Sequence, residues 1–409
     1  MAGSTIDHIV ALTVFLAALL LFISLFNQTI QTAILYQQHR HLATVCSDLL
    51  DNVMLNPGYP LDWGKTNSTP TSFGLQDPEF TQYRLSPYSL MRLQSLTWTP
   101  FTYPVTGVTY SNLSTEFGSF LFVPCSESIN YLTATKLLGI ENVYGFELTV
   151  APIVTVSIGV IQPDPLTFRV NIAGTGFPLS NASVTYSLVN VTTNSSPGAC
   201  PSYNFINPND TAYADDKGSA TLSFDGTRAP YVNGTQTSYA LIAYAHLSGL
   251  IGVGCYEHVA SDRNYPVPFI SDFANGTTLI AHSYDVSGGS NPQVISYNAT
   301  YVLLTEDFTL RETPLDNSTG EIAYGSYQNL TIPTFNPGIL VITYQSDGQS
   351  GVVLMPWGMS SMAFPVTFGS TYPFDKEWVV TDIRQVLVNS IAYQARLSLW
   401  SLKGYGVIG

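Results

Sequence analysis

Between Ile9 and Phe26 the chain runs through 18 residues whose only polar members are Thr13 and Ser24. As a helix rising about 1.5 Å per residue, that run is ~27 Å long, close to the hydrocarbon thickness of a bilayer. No Gly or Pro interrupts residues 4–56, and Pro57-Gly58 then supply a stop, so the sequence predicts one continuous helix. A cleaved secretory signal would bring a basic leader, a shorter apolar core and small residues at a cleavage site. Residues 1–8 contain no Lys or Arg, and Asn27-Gln28-Thr29-Ile30 follows the run. A buried core helix rarely needs so long an uninterrupted apolar stretch. A membrane anchor fits better than either.

Past Asn27 the texture changes. Ile30, Ile34, Leu35, Leu42, Val45, Leu49 and Val53 recur at three-, four- and seven-residue steps, opposite Gln31, Gln37, Arg40, Thr44, Ser47, Asp48 and Asp51. The first half suits lipid or a bundle of identical helices. The second suits a globular head, with Leu42, Val45, Leu49 and Val53 expected to hold it. A stalk packed on its own domain and a filament core fit this pattern equally.

Flanking charge says little about sidedness, because Arg40 is the only basic side chain in the first 64 residues. Asn-x-Ser/Thr says more: 12 of the 23 asparagines head such a triplet, an excess that favours a glycosylated exterior surface. Asn27 lies too near the bilayer to serve. The expected acceptors are Asn67, Asn112, Asn181, Asn190, Asn194, Asn209, Asn233, Asn275, Asn298, Asn317 and Asn329. Cys46, Cys125, Cys200 and Cys255 form no C-x-x-C, and an even number at wide spacing outside the cell suits disulfides. The favoured pairing is Cys200–Cys255 with Cys46–Cys125; four unpaired buried thiols are the alternative.

Charge excludes one large class of partners. The 409 residues carry 14 Lys and Arg against 28 Asp and Glu, a net charge of −14 with no basic cluster, so nucleic acid is not an expected ligand. So few ion pairs suit an acidic habitat, where carboxylates lose their charge, and a hot one is the other expectation. Catalytic chemistry has no visible carrier: G-x-S-x-G, H-E-x-x-H, a P-loop and G-x-G-x-x-G are all missing. His39 and His41 lie two apart on a helix and face different ways. Glu306-Asp307 would point to opposite faces of a strand, and Asp215-Asp216-Lys217-Gly218 lacks the later ligands of a calcium loop and reads as a turn. The expectation is no enzyme, with no catalytic, metal or cofactor residues. An extracellular hydrolase built from distant carboxylates is the weakest alternative.

Along the chain, residues 57–151 read as a small α+β segment, with helical candidates at 87–95 and 129–138 and a strand at 145–150. From 152 the pattern alternates: Leu166, Phe168, Val170 and Ile172 against Thr167, Arg169 and Asn171, then Val184, Tyr186 and Leu188. Residues 152–262 are expected to form a β-sandwich. Residues 263–409 are expected to form a second one, closing with a hairpin turned at Asn389-Ser390.

A long N-terminal helix, lipophilic first and amphipathic second, bearing a β-rich head, resembles a type IV pilin-like protein. Met54-Leu55-Asn56-Pro57-Gly58-Tyr59-Pro60 with Trp63-Gly64, then Phe73-Gly74-Leu75, resembles large archaeal membrane-anchored surface proteins of this kind. Asn181-Ala182-Ser183-Val184 and Asp216-Lys217-Gly218-Ser219-Ala220 are similar to bacterial-type Ig-like modules, common spacers in adhesins. The likeness covers most of the chain; it departs from a pilin leader in that Gly3 follows Met1-Ala2 with no basic residue. It implies a mainly β surface glycoprotein, a subunit or adhesive tip component of a cell-surface filament. Ile9, Leu12, Phe15, Leu16, Leu19, Leu20, Phe22, Ile23 and Phe26 would then lie in the bilayer or the filament core. The partners would be lipid, further copies through the helix, and a surface glycan or S-layer. The alternative is a solitary anchored envelope protein whose Ig-like domains bind S-layer, glycans or other cells.

Overall fold

The computed structural model describes the chain apart from residues 1, 81, 95–98, 115–119, 197, 208–210, 225–236, 259–263, 306–308, 334, 372–377 and 403–409. One α-helix, Ala2–Leu55, fills the span that lacks Gly and Pro, and at ~1.5 Å per residue it is roughly 80 Å long. Its end is capped by returning chain. Leu75 and Gln76 donate backbone N–H groups to the carbonyls of Val53 and Asn56. A Cβ on Gly74 would sit 2.0 Å from the Asn56 oxygen, so only glycine permits this approach. Trp63, fully buried, locks the turn by donating Nε1–H to the carbonyls of Pro57 (3.0 Å) and Gly74 (3.1 Å).

Among the described residues the rest is mainly β, arranged in five sheets. The first sandwich comprises residues 154–258. One of its sheets holds Val154–Pro163, Leu166–Gly174 and Ser219–Phe224; the other is ordered Ser202–Ile206, Ser183–Thr192, Tyr239–Leu247, Leu250–His258. Phe168, Val170, Ile172, Val184, Leu188 and Leu222 fill the space between them, as their alternation predicts. The Asp215–Gly218 turn is held by the Asp215 carboxylate, which accepts from the N–H groups of Lys217 and Ser219, both at 2.9 Å.

The second sandwich recruits strands from before and after the first in the sequence. Thr109–Ser114 and Phe120–Pro124, from the expected α+β segment, join Pro266–Asp272, Thr277–His282 and Tyr327–Thr331 in one sheet. Phe122 lies beside Phe269 in a parallel register. The facing sheet is Leu310–Thr313, Ile295–Leu304, Gly338–Ser346 and Gln349–Trp357.

The fifth sheet corrects the expected assignment of the C-terminal hairpin. Val379–Val388 and Ile391–Ser401 do pair through a two-residue turn at Asn389-Ser390. They join Tyr144–Pro152 and Val366–Gly369, not the second sandwich, and pack on the long helix. Ile391, Tyr393, Ala395, Leu397 and Leu399 share one buried face, and alternation alone fixes which face is covered, not what covers it. Glu306-Asp307 lies outside the described residues.

Candidate membrane and assembly site

The long helix divides where its sequence texture divides. From Ile6 to Ile34 every side chain is exposed; Ile9, Leu12, Phe15, Leu16, Leu19, Leu20, Phe22, Ile23 and Phe26 stand 43–67% open. These residues are long and apolar enough to cross a membrane, and no described part of the head covers them. Two hydroxyls along this stretch are satisfied within the helix: Thr13 donates to the Ile9 carbonyl and Thr29 to that of Leu25, both at 2.8 Å. Neither threonine then needs water in a hydrocarbon layer.

The head begins about a turn above Ile34, where the His39 ring meets the edge of Trp378 at 5.3 Å between centroids. Leu42, Cys46, Leu49, Leu50, Val53 and Met54 are then 0–7% exposed, a stripe at i, i+4, i+7 and i+8 laid into the sheet that carries the C-terminal hairpin. Of the four residues expected to hold the head, Leu42, Leu49 and Val53 lie in this stripe and Val45 at its margin. Cys46, Leu50 and Met54 were legible as further members of the same face. Ile30 and Ile34 are corrected: they stay 42% and 48% exposed, below the head and above the apolar run.

A charged clamp edges this joint. Arg384 donates Nε–H to Asp51 Oδ1 at 2.8 Å and Nη2–H to Ser47 Oγ at 2.9 Å, with Nη1 2.8 Å from Asp382 Oδ1. Burial works against the Asp382 carboxylate, but the Ile383 N–H, the Ser47 hydroxyl and Arg384 hold its pKa below the ordinary value. Arg384 itself is pushed up by these carboxylates, Asp51 first.

The disulfide expectation is overturned: all four cysteines are free. Each is committed to a different element. Cys46 sits in the helix–sheet joint with Sγ 3.5 Å from the Leu397 carbonyl oxygen, and Cys255 is buried on Leu250–His258. Cys200 lies 3.8 Å from the Gly320 carbonyl oxygen, and Cys125 follows the strand Phe120–Pro124. Spacing along the chain carries no information about these separations.

The expected glycan acceptors divide by exposure. Asn181, Asn194, Asn317 and Asn329 are exposed. The Asn67 and Asn275 amides, also exposed, donate to the Asp272 carboxylate at 2.9 and 2.7 Å, and Asn298 donates to the Pro201 carbonyl at 3.2 Å. Asn190 is 5% exposed inside the first sandwich and is corrected as a folded-state acceptor. Asn209, Asn233 and the side chain of Asn112 lie outside the described residues. Among the described residues no group of three or more His, Cys, Asp or Glu side chains gathers as a metal site would.

No protein-family model and no curated protein matches the chain. Among solved structures it is similar to the "D0-D1 domain of Intimin", at 14% identity and a TM-score of 0.20, over 54% of this chain and 100% of that one.

Proposed function

We propose that this chain is an extracellular, membrane-anchored surface glycoprotein of the pilin-like kind, a subunit or adhesive tip component of a cell-surface filament. The observation that carries the reading is the two-part helix. An uncovered apolar segment of bilayer length continues without a break into a stripe buried by the head. The filament version draws on Ile30 and Ile34. They lie on one helical face, outside both the apolar run and the head, where a neighbouring copy of the helix would cover them. The β-sandwiches then form the outer decoration, with glycans on exposed asparagines such as Asn181, Asn194, Asn317 and Asn329 and a surface glycan or S-layer as the adhesive target. The reading assigns no catalytic role.

A second reading, a solitary anchor, is favoured by the polar break at Asn27-Gln28, which ends the apolar run at the length of a single bilayer crossing. Shearing intact cells and examining the released material by electron microscopy and mass spectrometry separates the two. The chain in released fibres supports the filament; the chain confined to pelleted membranes supports the solitary anchor and ends the filament version.

A further inference from the structure

The strand Tyr327–Thr331 ends its sheet and alternates between two surroundings. Leu330 is fully buried in the main core, so Asn329 faces the opposite way and Tyr327, two residues earlier, shares its face. In the register Asn329 stands beside Leu279, which belongs with Tyr110 and Phe269 to a separate small cluster on the face turned from that core. Asn329 is exposed, and Tyr327 is 40% exposed.

A cleft of about 340 Å³ adjoins these two side chains. Tyr110 and Leu279 are its buried floor, and Val108 and Tyr327, both exposed, are its apolar rim. Ser126, exposed, and Thr106 and Ser271, half-buried, add hydroxyls to the lining. The Ser271 hydroxyl donates to the Thr277 carbonyl at 3.2 Å and keeps lone pairs to accept with. The described lining holds one carboxylate, Glu127, and no cation.

Asn329-Leu330-Thr331 is an Asn-x-Thr triplet, and Tyr327 precedes its asparagine by two positions. At about 3.3 Å per residue the two Cα atoms lie about 7 Å apart on one face, so a sugar on Asn329 Nδ2 reaches the tyrosine ring. The C–H face of a pyranose and the face of the ring are both apolar, and stacking removes both from water. Asn112, Asn233 and Asn275 also follow an aromatic by two positions. Tyr110 and Phe273, however, are buried, and Tyr231 lies outside the described residues. Among the described residues only Tyr327 is open to its own acceptor in this way.

We propose that Asn329 carries an N-linked glycan whose first sugar is uncharged, stacks on Tyr327 and seats in the adjoining cleft. The proposal rests on the surface-glycoprotein reading and gives one acceptor a structural task. In the transfer, Asn329 Nδ2 bonds to the anomeric carbon of a lipid-phosphate-linked oligosaccharide. The bond from that carbon to the phosphate oxygen breaks, the phosphate leaves with the bonding electrons, and the amide gives up one proton. The seated sugar turns hydroxyls to Thr106, Ser126 and Ser271 and its C–H face to Tyr327. A neutral sugar suits this lining, whereas a sugar acid would meet Glu127 with no cation to offset it.

The test is glycopeptide mass spectrometry and thermal melting of the full chain, isolated in detergent from the cells that make it. Wild type, Tyr327→Ala, Asn329→Gln and the double variant are compared; both positions are exposed, so the head should stay folded in all four. Asn329 is expected to be occupied. Tyr327→Ala should lower the melting temperature by about 1–4 °C more in the glycosylated chain than in the Asn329→Gln background, the size of one aromatic stacking contact. Tyr327→Phe, which keeps the ring, should melt like wild type. A bare Asn329 beside other occupied acceptors overturns the proposal and leaves the glycoprotein reading standing; no sugar at any acceptor overturns both. An occupied Asn329 with the same Tyr327→Ala loss in both backgrounds overturns the seat.

Discussion

Charge placed in the uncovered half of the helix tests the anchor directly, and its cost can be set against what the helix gains from lipid. Residues 9–26 include 13 Leu, Ile, Val and Phe side chains, and at about 0.3–0.6 kcal/mol each they favour insertion by roughly 4–8 kcal/mol. Exchanging one mid-span Leu for Asp loses that residue's share and adds the penalty for the carboxylate, about 3–4 kcal/mol together. Leu16→Asp alone therefore leaves the balance from near neutral to favourable, and the chain should still partition to membranes with a larger soluble fraction. Leu16→Asp with Leu20→Asp costs about 7 kcal/mol, enough to cancel most or all of the gain, and the i, i+4 spacing puts both carboxylates on one face. Leu16 and Leu20 are 48% and 67% exposed with no described head residue over them, so the melting of the head should not change. The assay is the carbonate-resistant membrane fraction, with head melting followed in parallel. A double variant that stays in washed membranes as completely as wild type would refute the anchor. One that leaves membranes only because the head has unfolded would refute the separation of the two halves.

Three further outcomes follow from the joint and the head. Leu50→Ala, at a fully buried position in the helix stripe, should destabilise the head by about 2–5 kcal/mol, whereas Val45→Ala at the stripe's margin should cost clearly less in the same denaturant titration. Glu127 has its pKa pushed up to about 7 by burial, against the opposing pull of Arg92 and with Asp272 adding to the rise. Its protonated form thus favours the fold: the contribution is complete below the ordinary carboxylate range and is lost as pH rises through about 7. Glu127→Gln should remove that loss, so its denaturation midpoint should gain on wild type between pH 5 and pH 8; a difference independent of pH counts against the assignment. All four cysteines should react with a thiol reagent after unfolding under non-reducing conditions. In the folded chain Cys46, with its pKa raised to about 11 by burial and the nearby Asp382, and Cys255, also raised by burial, should stay silent, and reductant should leave the melting temperature unchanged.

Local patterns were legible in the sequence where one element decides them. The helix follows from the missing Gly and Pro, its uncovered half from unbroken apolarity, and the strand pattern of 166–172 from strict alternation. The hairpin turn at Asn389-Ser390 was legible for the same reason. What the sequence did not reveal was partnership at long range. Ile391, Tyr393, Ala395 and Leu397 announce a covered face, but nothing in them distinguishes a second sandwich from the end of a helix more than 300 residues earlier. The cysteines failed likewise, because pairing needs a Cα separation below ~7 Å that spacing does not encode.

The sheet that grips the helix also fixes the order in which the molecule can be completed. Cys46 contacts Leu397 across 351 residues, so the apolar stripe of the helix is made first and its cover last. At about 5–20 residues per second, synthesis leaves that stripe without its final partner for roughly 20–70 s. Contacts of such separation also close slowly once the chain is complete. An uncovered face of Leu42, Leu49, Leu50 and Val53 would, in a free chain, invite association with other copies. The uncovered segment below it provides a remedy through insertion, which needs only residues 9–26. On the anchor reading, entry of these residues into the bilayer would hold the stripe near the membrane surface while the head is built and would separate chains from one another. On this view the break at Asn27-Gln28 places the stripe outside the hydrocarbon yet close to it. The Arg384 clamp to Asp51 and Ser47 then sets the register in which the last hairpin docks, since a shift of one residue would turn Arg384 away from the helix and leave its partners unpaired.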